Sequence, residues 1–294
     1  MKEHRHSGIV DDGCQGRAHL WCLLKRRGFA LVGMLFLLAA CSTAPITGRK
    51  QPMLVGTGQE NALGLEAYRE VLRKEPITQD PRATEPVRRI VRRLAAVADR
   101  RDFRWEVSVI KKDTTANAFV LPGGKIAVYT GIFPIAQTEA GLAMILGHEV
   151  GHAIARHGGE RMSQQLGVQA VGEALAIGLQ SSPQVNTIMA VYGVGSQVGF
   201  LLPYSRVHES EADRIGMVLA AKAGYDPRVA IDVWQRMAAL PGTRPPEFLS
   251  THPNPETRIE DIRQFLPQAI AQFRPHPDAG DTPLPTPEQV GLLR

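Results

Sequence analysis

Thr138-Glu139-Ala140-Gly141-Leu142-Ala143-Met144-Ile145-Leu146-Gly147-His148-Glu149-Val150-Gly151-His152 reads as a single helix that carries its own chemistry. Thr138 stands where an N-cap belongs, and Glu139 lies in the first turn, where a negative charge suits the helix dipole. Leu142, Ile145, His148, His152 and Ile154 then recur at helical spacing. Histidines at i and i+4 are about 40° apart around the axis, so His148 and His152 can reach one ion from the same side. Glu149 is near that ion without being needed as a ligand, placed to take a proton from an attacking water and pass it to a leaving amine. Zinc suits such a site because it lowers the pKa of its water to about 7. Gly151 is read as leaving room for a substrate backbone. The competing reading is a pair of core histidines satisfied by hydrogen bonds, and it weakens if a third ligand can be found.

A third ligand on the same helix would sit ten residues after His148, and that position is Gly158. His157 falls on the opposite side of a continuous helix from His148. The ligand must therefore come from another helix, and Ser205-Arg206-Val207-His208-Glu209-Ser210-Glu211-Ala212-Asp213 supplies one. Glu209 is the expected third metal ligand. Asp213, one turn on, is expected to accept the other N–H of a ligating histidine and fix its tautomer. Glu211 points about 160° away from Glu209 and is the weaker candidate.

These residues resemble the HtpX-like and CAAX-prenyl-protease-type zinc metallopeptidases, specifically their periplasmic lipoprotein branch. The similarity covers residues 47–265 and includes Thr47-Gly48-Arg49-Lys50-Gln51, Asn117-Ala118-Phe119, Leu121-Pro122-Gly123-Gly124, the HExxH helix, the segment ending in Asp213, and His252-Pro253 with Arg258. The resemblance implies a gluzincin, a zincin-like α+β fold, and proteolysis in protein quality control. Some branch members add a helical repeat domain; only about twenty residues follow the last helix here, so such an array is not expected.

Working outward, the pattern is α+β and mostly helical. Helices are expected near residues 60–73 and 87–97, then over 159–180, 184–202, 206–223, 227–240 and 256–273. Arg88, Arg89, Arg92 and Arg93 are read as one solvated helix face. Alternation at residues 103–110, 118–121 and 126–130 predicts a small antiparallel sheet. The run 123–130 is expected to offer an edge, through Gly124, Ile126 and Val128, to which an extended substrate adds as a strand. Residues 187–203 are nearly uncharged and are read as buried core or an active-site lid, with a membrane-dipping segment as the alternative. The proline-rich residues 274–294 are expected to be a disordered tail.

The ends of the chain carry an address. Lys25-Arg26-Arg27 precede an apolar run at 28–40, which is too short to span a bilayer and has the form of a secretory signal. Leu38-Ala39-Ala40-Cys41 resembles a bacterial lipobox, so Cys41 is the expected lipidation site, and residues 41–58 a tether. Ser42 after the cysteine favours the outer membrane by resemblance to sorted lipoproteins. Residues 1–24 look like an overlong start. Of the formal charge of +5, the first forty residues contribute +3, leaving about +2 for the rest of the chain, whose body, residues 59–273, shows no sign of a nucleic-acid partner. Cys14, Cys22 and Cys41 are the only cysteines, so the body has no thiolate for zinc or for catalysis.

The expected function is a one-zinc endopeptidase acting on unfolded or misassembled envelope proteins, facing the periplasm from a membrane anchor. An assembly factor or chaperone with a structural or latent zinc is the alternative, and a membrane scaffold a third. An intact Glu149 argues against a structural zinc, which needs no base. His252, on a loop between helices and before Pro253, is held extended so that its imidazole can approach the metal. It is read as a gate on the fourth position; set further back, it would stabilise an oxyanion, a role Arg258 could share.

Overall fold

A computed structural model describes residues 41–197, 201–239, 248, 252, 258–279 and 282–290. The chain divides into two compact units, residues 1–42 and 43–294. The signal segment and start assignment lie outside the described residues, as does Pro253. The second unit runs β1 (Lys50–Pro52), α1 (Thr57–Lys74), α2 (Pro81–Val97), β2 (Glu106–Ile110), β3 (Ala118–Leu121) and β4 (Lys125–Tyr129). It continues with α3 (Phe133–Ala136), α4 (Glu139–Ile154), α5 (His157–Gly178), α6 (Val185–Ser196), α7 (Leu202–Lys222), α8 (Val229–Ala238) and α9 (Arg258–Ala271). This is a mostly helical α+β architecture, as the patterning implied.

All sixteen residues of α4 are buried, which explains why its apolar side chains are not confined to one stripe. The Thr138 hydroxyl accepts from the Gly141 N–H at 3.1 Å, and Glu139 pairs with Arg89 of α2. Arg89 and Arg93 therefore depart from the expected solvated face; Arg93 meets His276 Nδ1 at 3.1 Å. The helix that bears Glu209, α7, lies directly on α4. A methyl added at Gly216 would stand 2.6 Å from the His148 nitrogen, and one at Gly151 would stand 2.8 Å from the Ala212 oxygen. Gly151 thus serves close helix approach rather than substrate room: backbone contact is what brings α7 near enough to reach the α4 histidines.

The three-stranded sheet is mixed, with order β2-β4-β3. β4 is parallel to β2 (Val107 beside Ile126) and antiparallel to β3 (Val120 beside Ile126). Pro122-Gly123 turns β3 into β4, with Gly123 at φ +83°, a conformation that favours glycine. The substrate-edge reading of Gly124, Ile126 and Val128 is therefore overturned. β4 is central and buried throughout, with both ladders occupied. The period-2 pattern reveals a strand but not its place in the sheet, because a central strand and an edge strand can share that alternation.

Two further expectations change. The side chains of α6 include none that is buried; α6 packs on α5, where the Tyr192 hydroxyl donates to the Val168 carbonyl at 2.7 Å, and leaves Val191 and Val194 exposed. The buried-core reading fails for residues 187–196, since among the described residues no side chain of α6 is buried. Among the described residues no helix is long and apolar enough to cross a membrane. The proline-rich end also packs on the body. The Glu139 N–H donates to the Thr282 carbonyl at 2.9 Å, the Leu284 N–H donates to the Gln137 carbonyl at 2.9 Å, and Leu284 and Val290 are buried. Proline cannot prevent an extended segment from pairing through its neighbours' amides.

Candidate metal centre

α4 and α7 bring the expected donors together. His148 Nε2 and His152 Nε2 face each other at 3.1 Å. Glu209 places one oxygen 3.3 Å from His152 Nε2 and the other 3.5 Å from His148 Nε2. Ligands about 2.0–2.2 Å from one tetrahedral zinc would be about 3.3 Å apart, so the separations fit the ion. His252 joins the same cluster as a fourth possible donor, its Nδ1 being 3.2 Å from both Glu209 oxygens and 3.3 Å from His148 Nε2. Phe248 stacks on the His252 ring at 4.7 Å, and its N–H donates to the Ala116 carbonyl just before β3.

Glu149 stands beside this cluster. Its buried Oε1 makes no hydrogen bond among the described residues, and His252 Nε2 lies 3.3 Å away. A buried carboxylate oxygen without a donor is costly unless something else is to occupy the space beside it. That orphaned atom, together with two imidazole nitrogens turned toward each other, fits a site built for a cation and a water.

Around the donors lies a shell only partly visible in the sequence. Asp213 Oδ1 is 2.9 Å from His148 Nδ1, as expected. Arg258 then clamps Asp213, with Nε 2.7 Å from Oδ2 and Nη2 2.8 Å from Oδ1, and its guanidinium lies 3.8 Å over the Trp234 ring. Two of its three nitrogens are thus committed to Asp213, the partner of His148, while the buried Nη1 makes no hydrogen bond among the described residues and lies 3.4 Å from a Glu209 oxygen. On the other side, His157 Nδ1 is 2.8 Å from His152 Nδ1, and His157 Nε2 is 2.9 Å from Glu211. Glu211, the rejected ligand, accepts from Thr47 and from Arg49 Nε at 2.8 Å. Arg49 also forks onto Glu160, which His208 meets at 2.9 Å. Sequence reasoning set His157 aside as lying on the wrong helix face and missed Glu160 and His208. The available signal was a second His/Glu group, His157 and Glu160 within eight residues of His152 and His208 next to Glu209, but its use depends on a helix break.

The electrostatics of the two histidines differ. Burial opposes charging of His148, but the Asp213 carboxylate outweighs it and lifts the pKa to about 9. Burial dominates at His152 and drives its pKa well below the usual histidine value. Burial resists ionisation of Glu209, yet hydrogen bonds from His148 and His152 hold it far below the usual carboxylate range. Glu209 and His152 are thus in the forms in which these groups ligate metals, an ionised carboxylate and a neutral imidazole, whereas His148 must give up a proton to bind one.

Residues 81–266 match Peptidase family M48. The chain is 37% identical over 230 residues to the "Mitochondrial metalloendopeptidase OMA1" of Schizosaccharomyces pombe, covering 76% of this chain and 66% of that protein. It is 30% identical over 270 residues to the Homo sapiens "Metalloendopeptidase OMA1, mitochondrial", covering 86% and 51%. To the "Beta-barrel assembly-enhancing protease" of Yersinia pestis it is 29% identical over 251 residues, covering 83% and 50%. The chain therefore spans half to two thirds of the lengths of these relatives.

Proposed function

This chain belongs to peptidase family M48, and from that membership and the geometry of its centre we propose that it is a zinc-dependent endopeptidase with His148, His152 and Glu209 as ligands and Glu149 as base. The observation that carries the reading is the convergence of three donors beside a buried Glu149 oxygen that makes no hydrogen bond among the described residues. Zinc, when bound, supplies a Lewis acid that makes water a competent nucleophile at neutral pH and polarises the scissile carbonyl. Glu149 Oε1 accepts the proton of the attacking water and delivers it to the leaving amine. Asp213 holds His148 in one tautomer, Arg258 holds Asp213, and the buried walls of α4 and α7 exclude bulk water. Glu149→Gln should retain stoichiometric zinc while cleavage of an unfolded protein falls by at least about 10²–10⁴-fold; equal cleavage would remove Glu149 from the role. Zinc content should collapse in Glu209→Ala and persist, weakened, in Glu211→Ala.

The substrate class is unfolded or misassembled envelope protein, a reading supported by the name of the assembly-enhancing relative and by the lipobox-like Leu38-Ala39-Ala40-Cys41. An extended chain would add to β3, the outer strand of the sheet next to α4, and not to β4. Lipidation of Cys41 would hold the protein on the periplasmic face of the outer membrane; Cys41→Ser should move it to the soluble fraction, and unchanged fractionation would count against the anchor. His252 supports a latent state of the same enzyme. Its imidazole completes the donor set, while Phe248 of the same segment bonds to Ala116 where the β3 edge begins. His252→Ala should raise cleavage without loss of zinc, whereas a large fall would assign it to the oxyanion.

A further inference from the structure

We propose that His157 is a positioning residue for the metal site, accepting the Nδ1 proton of His152 and tying that ligand through Glu211 to Thr47 and Arg49. The inference rests on the reading of His152 as a ligand. Residues 47–51 thereby become a strut of the site, although they precede the HExxH helix by about a hundred positions.

The direction of every hydrogen bond in the chain follows from the first. His152 turns Nε2 toward His148 and Glu209, so a ligating His152 offers a lone pair there and keeps its ring proton on Nδ1. The atom facing that proton is His157 Nδ1, 2.8 Å away. A neutral ring that accepts on Nδ1 carries its proton on Nε2, and Glu211 Oε2 is 2.9 Å from it. Glu211 accepts also from the Thr47 hydroxyl and Arg49 Nε, so its carboxylate is fixed from two sides. The His157 ring is held in plane as well, stacked on His208 at 4.3 Å with 15° between the rings. A histidine that merely filled core would have no need of an imidazole partner on one nitrogen and a clamped carboxylate on the other.

The backbone is shaped to this end. In an unbroken helix His157 would lie about 140° around the axis from His152 and could not face it. Instead α4 ends at Ile154, and Arg156 adopts the left-handed conformation at φ +60°, ψ +35° before α5 starts at His157. A non-glycine residue persists there only when its surroundings hold it. Arg156 is held by Glu60 of α1 at 2.9 and 3.1 Å and by the Val55 carbonyl at 2.7 Å.

The test compares two amides in the full chain. The substitution His157→Asn puts a carbonyl oxygen near the place of imidazole Nδ1, and so keeps an acceptor for His152. The substitution His157→Gln puts an amide nitrogen near the place of Nε2, and so keeps the bond to Glu211 but not the one to His152. Chelator-stripped wild type, His157→Asn, His157→Gln and Arg49→Met are titrated with zinc against a chromophoric chelator. Cobalt(II) spectra and metal-free melting curves are recorded for each. His157→Gln should bind zinc about 10–100-fold more weakly, with an altered cobalt spectrum. His157→Asn should remain within a few-fold of wild type, and Arg49→Met should fall between them. Equal zinc affinity and identical cobalt spectra in the two amide variants would overturn the inference, as would tighter zinc binding by His157→Gln than by His157→Asn. If either amide variant does not fold, an Arg49→Met protein that melts cooperatively yet binds zinc as wild type does would overturn it. Wild type that bound no zinc would instead defeat the ligand reading, and the inference with it.

Discussion

His148 and His152 lie one helical turn apart, yet the protein supports them by opposite means. Behind His148 a buried charge pair, Asp213 with Arg258, meets the imidazole directly, and both members come from the later helices α7 and α9. Behind His152 stands a neutral imidazole, and charge appears only one residue further out, at Glu211 and Arg49. The difference appears in the protonation of the two rings: Asp213 lifts His148 to about 9, whereas burial drives His152 far down. Concentrated buried charge makes the His148 side stiff but intolerant, because losing one partner strands the other in a low dielectric. The His152 side spreads its support over several bonds and several segments, each worth less.

The largest effect should therefore come from Asp213→Ala. It leaves the Arg258 guanidinium, 2% exposed, without its two hydrogen bonds to Asp213 and with only Glu209 at 3.4 Å, and should cost about 3–5 kcal/mol in denaturant unfolding of the metal-free protein. Adding Arg258→Met should restore much of that stability while zinc binding stays weak, separating the charge cost from the ligand support. Next comes Gly216→Ala, which acts on both sides at once. Its methyl would stand 2.6 Å from the His148 nitrogen and should cost about 1–3 kcal/mol, with weaker zinc binding; wild-type affinity would show that so close a helix approach is unnecessary. Arg156→Val should cost about 1–3 kcal/mol, since a β-branched residue resists positive φ, and should weaken zinc retention by re-aiming His157. Arg156→Gly, free to adopt that conformation, should retain zinc better; the opposite ranking would remove the helix break from the account. Thr47→Val should have the smallest effect, the loss of one hydrogen bond to Glu211, about 0.5–1.5 kcal/mol by thermal or denaturant melting.

Much of the centre was legible because its pieces are local. The i, i+4 pairs His148/His152 and Glu209/Asp213 each lie on one helix, where 3.6-residue periodicity alone decides which side chains share a face. The Thr138 cap and the helices around it follow from the same short-range rules. The sheet shows where that legibility stops: alternation identified β4, but its central place depends on β2 coming alongside from fifteen residues or more away.

The sequence by itself determined which side chains can meet a metal and which of them can act as base, because these follow from residue type and from spacing within a helix. Tertiary structure alone decided the rest. It made Gly151 a point of helix contact, packed residues 282–290 against α4, turned Arg258 onto Asp213, and converted His157 from a residue on the wrong face into the partner of His152. Each of these depends on distances between segments remote in the chain or on one left-handed residue, Arg156, held by a carboxylate about a hundred positions away. Local periodicity carries no record of such distances, since they are set by how helices and strands close on one another around a shared core.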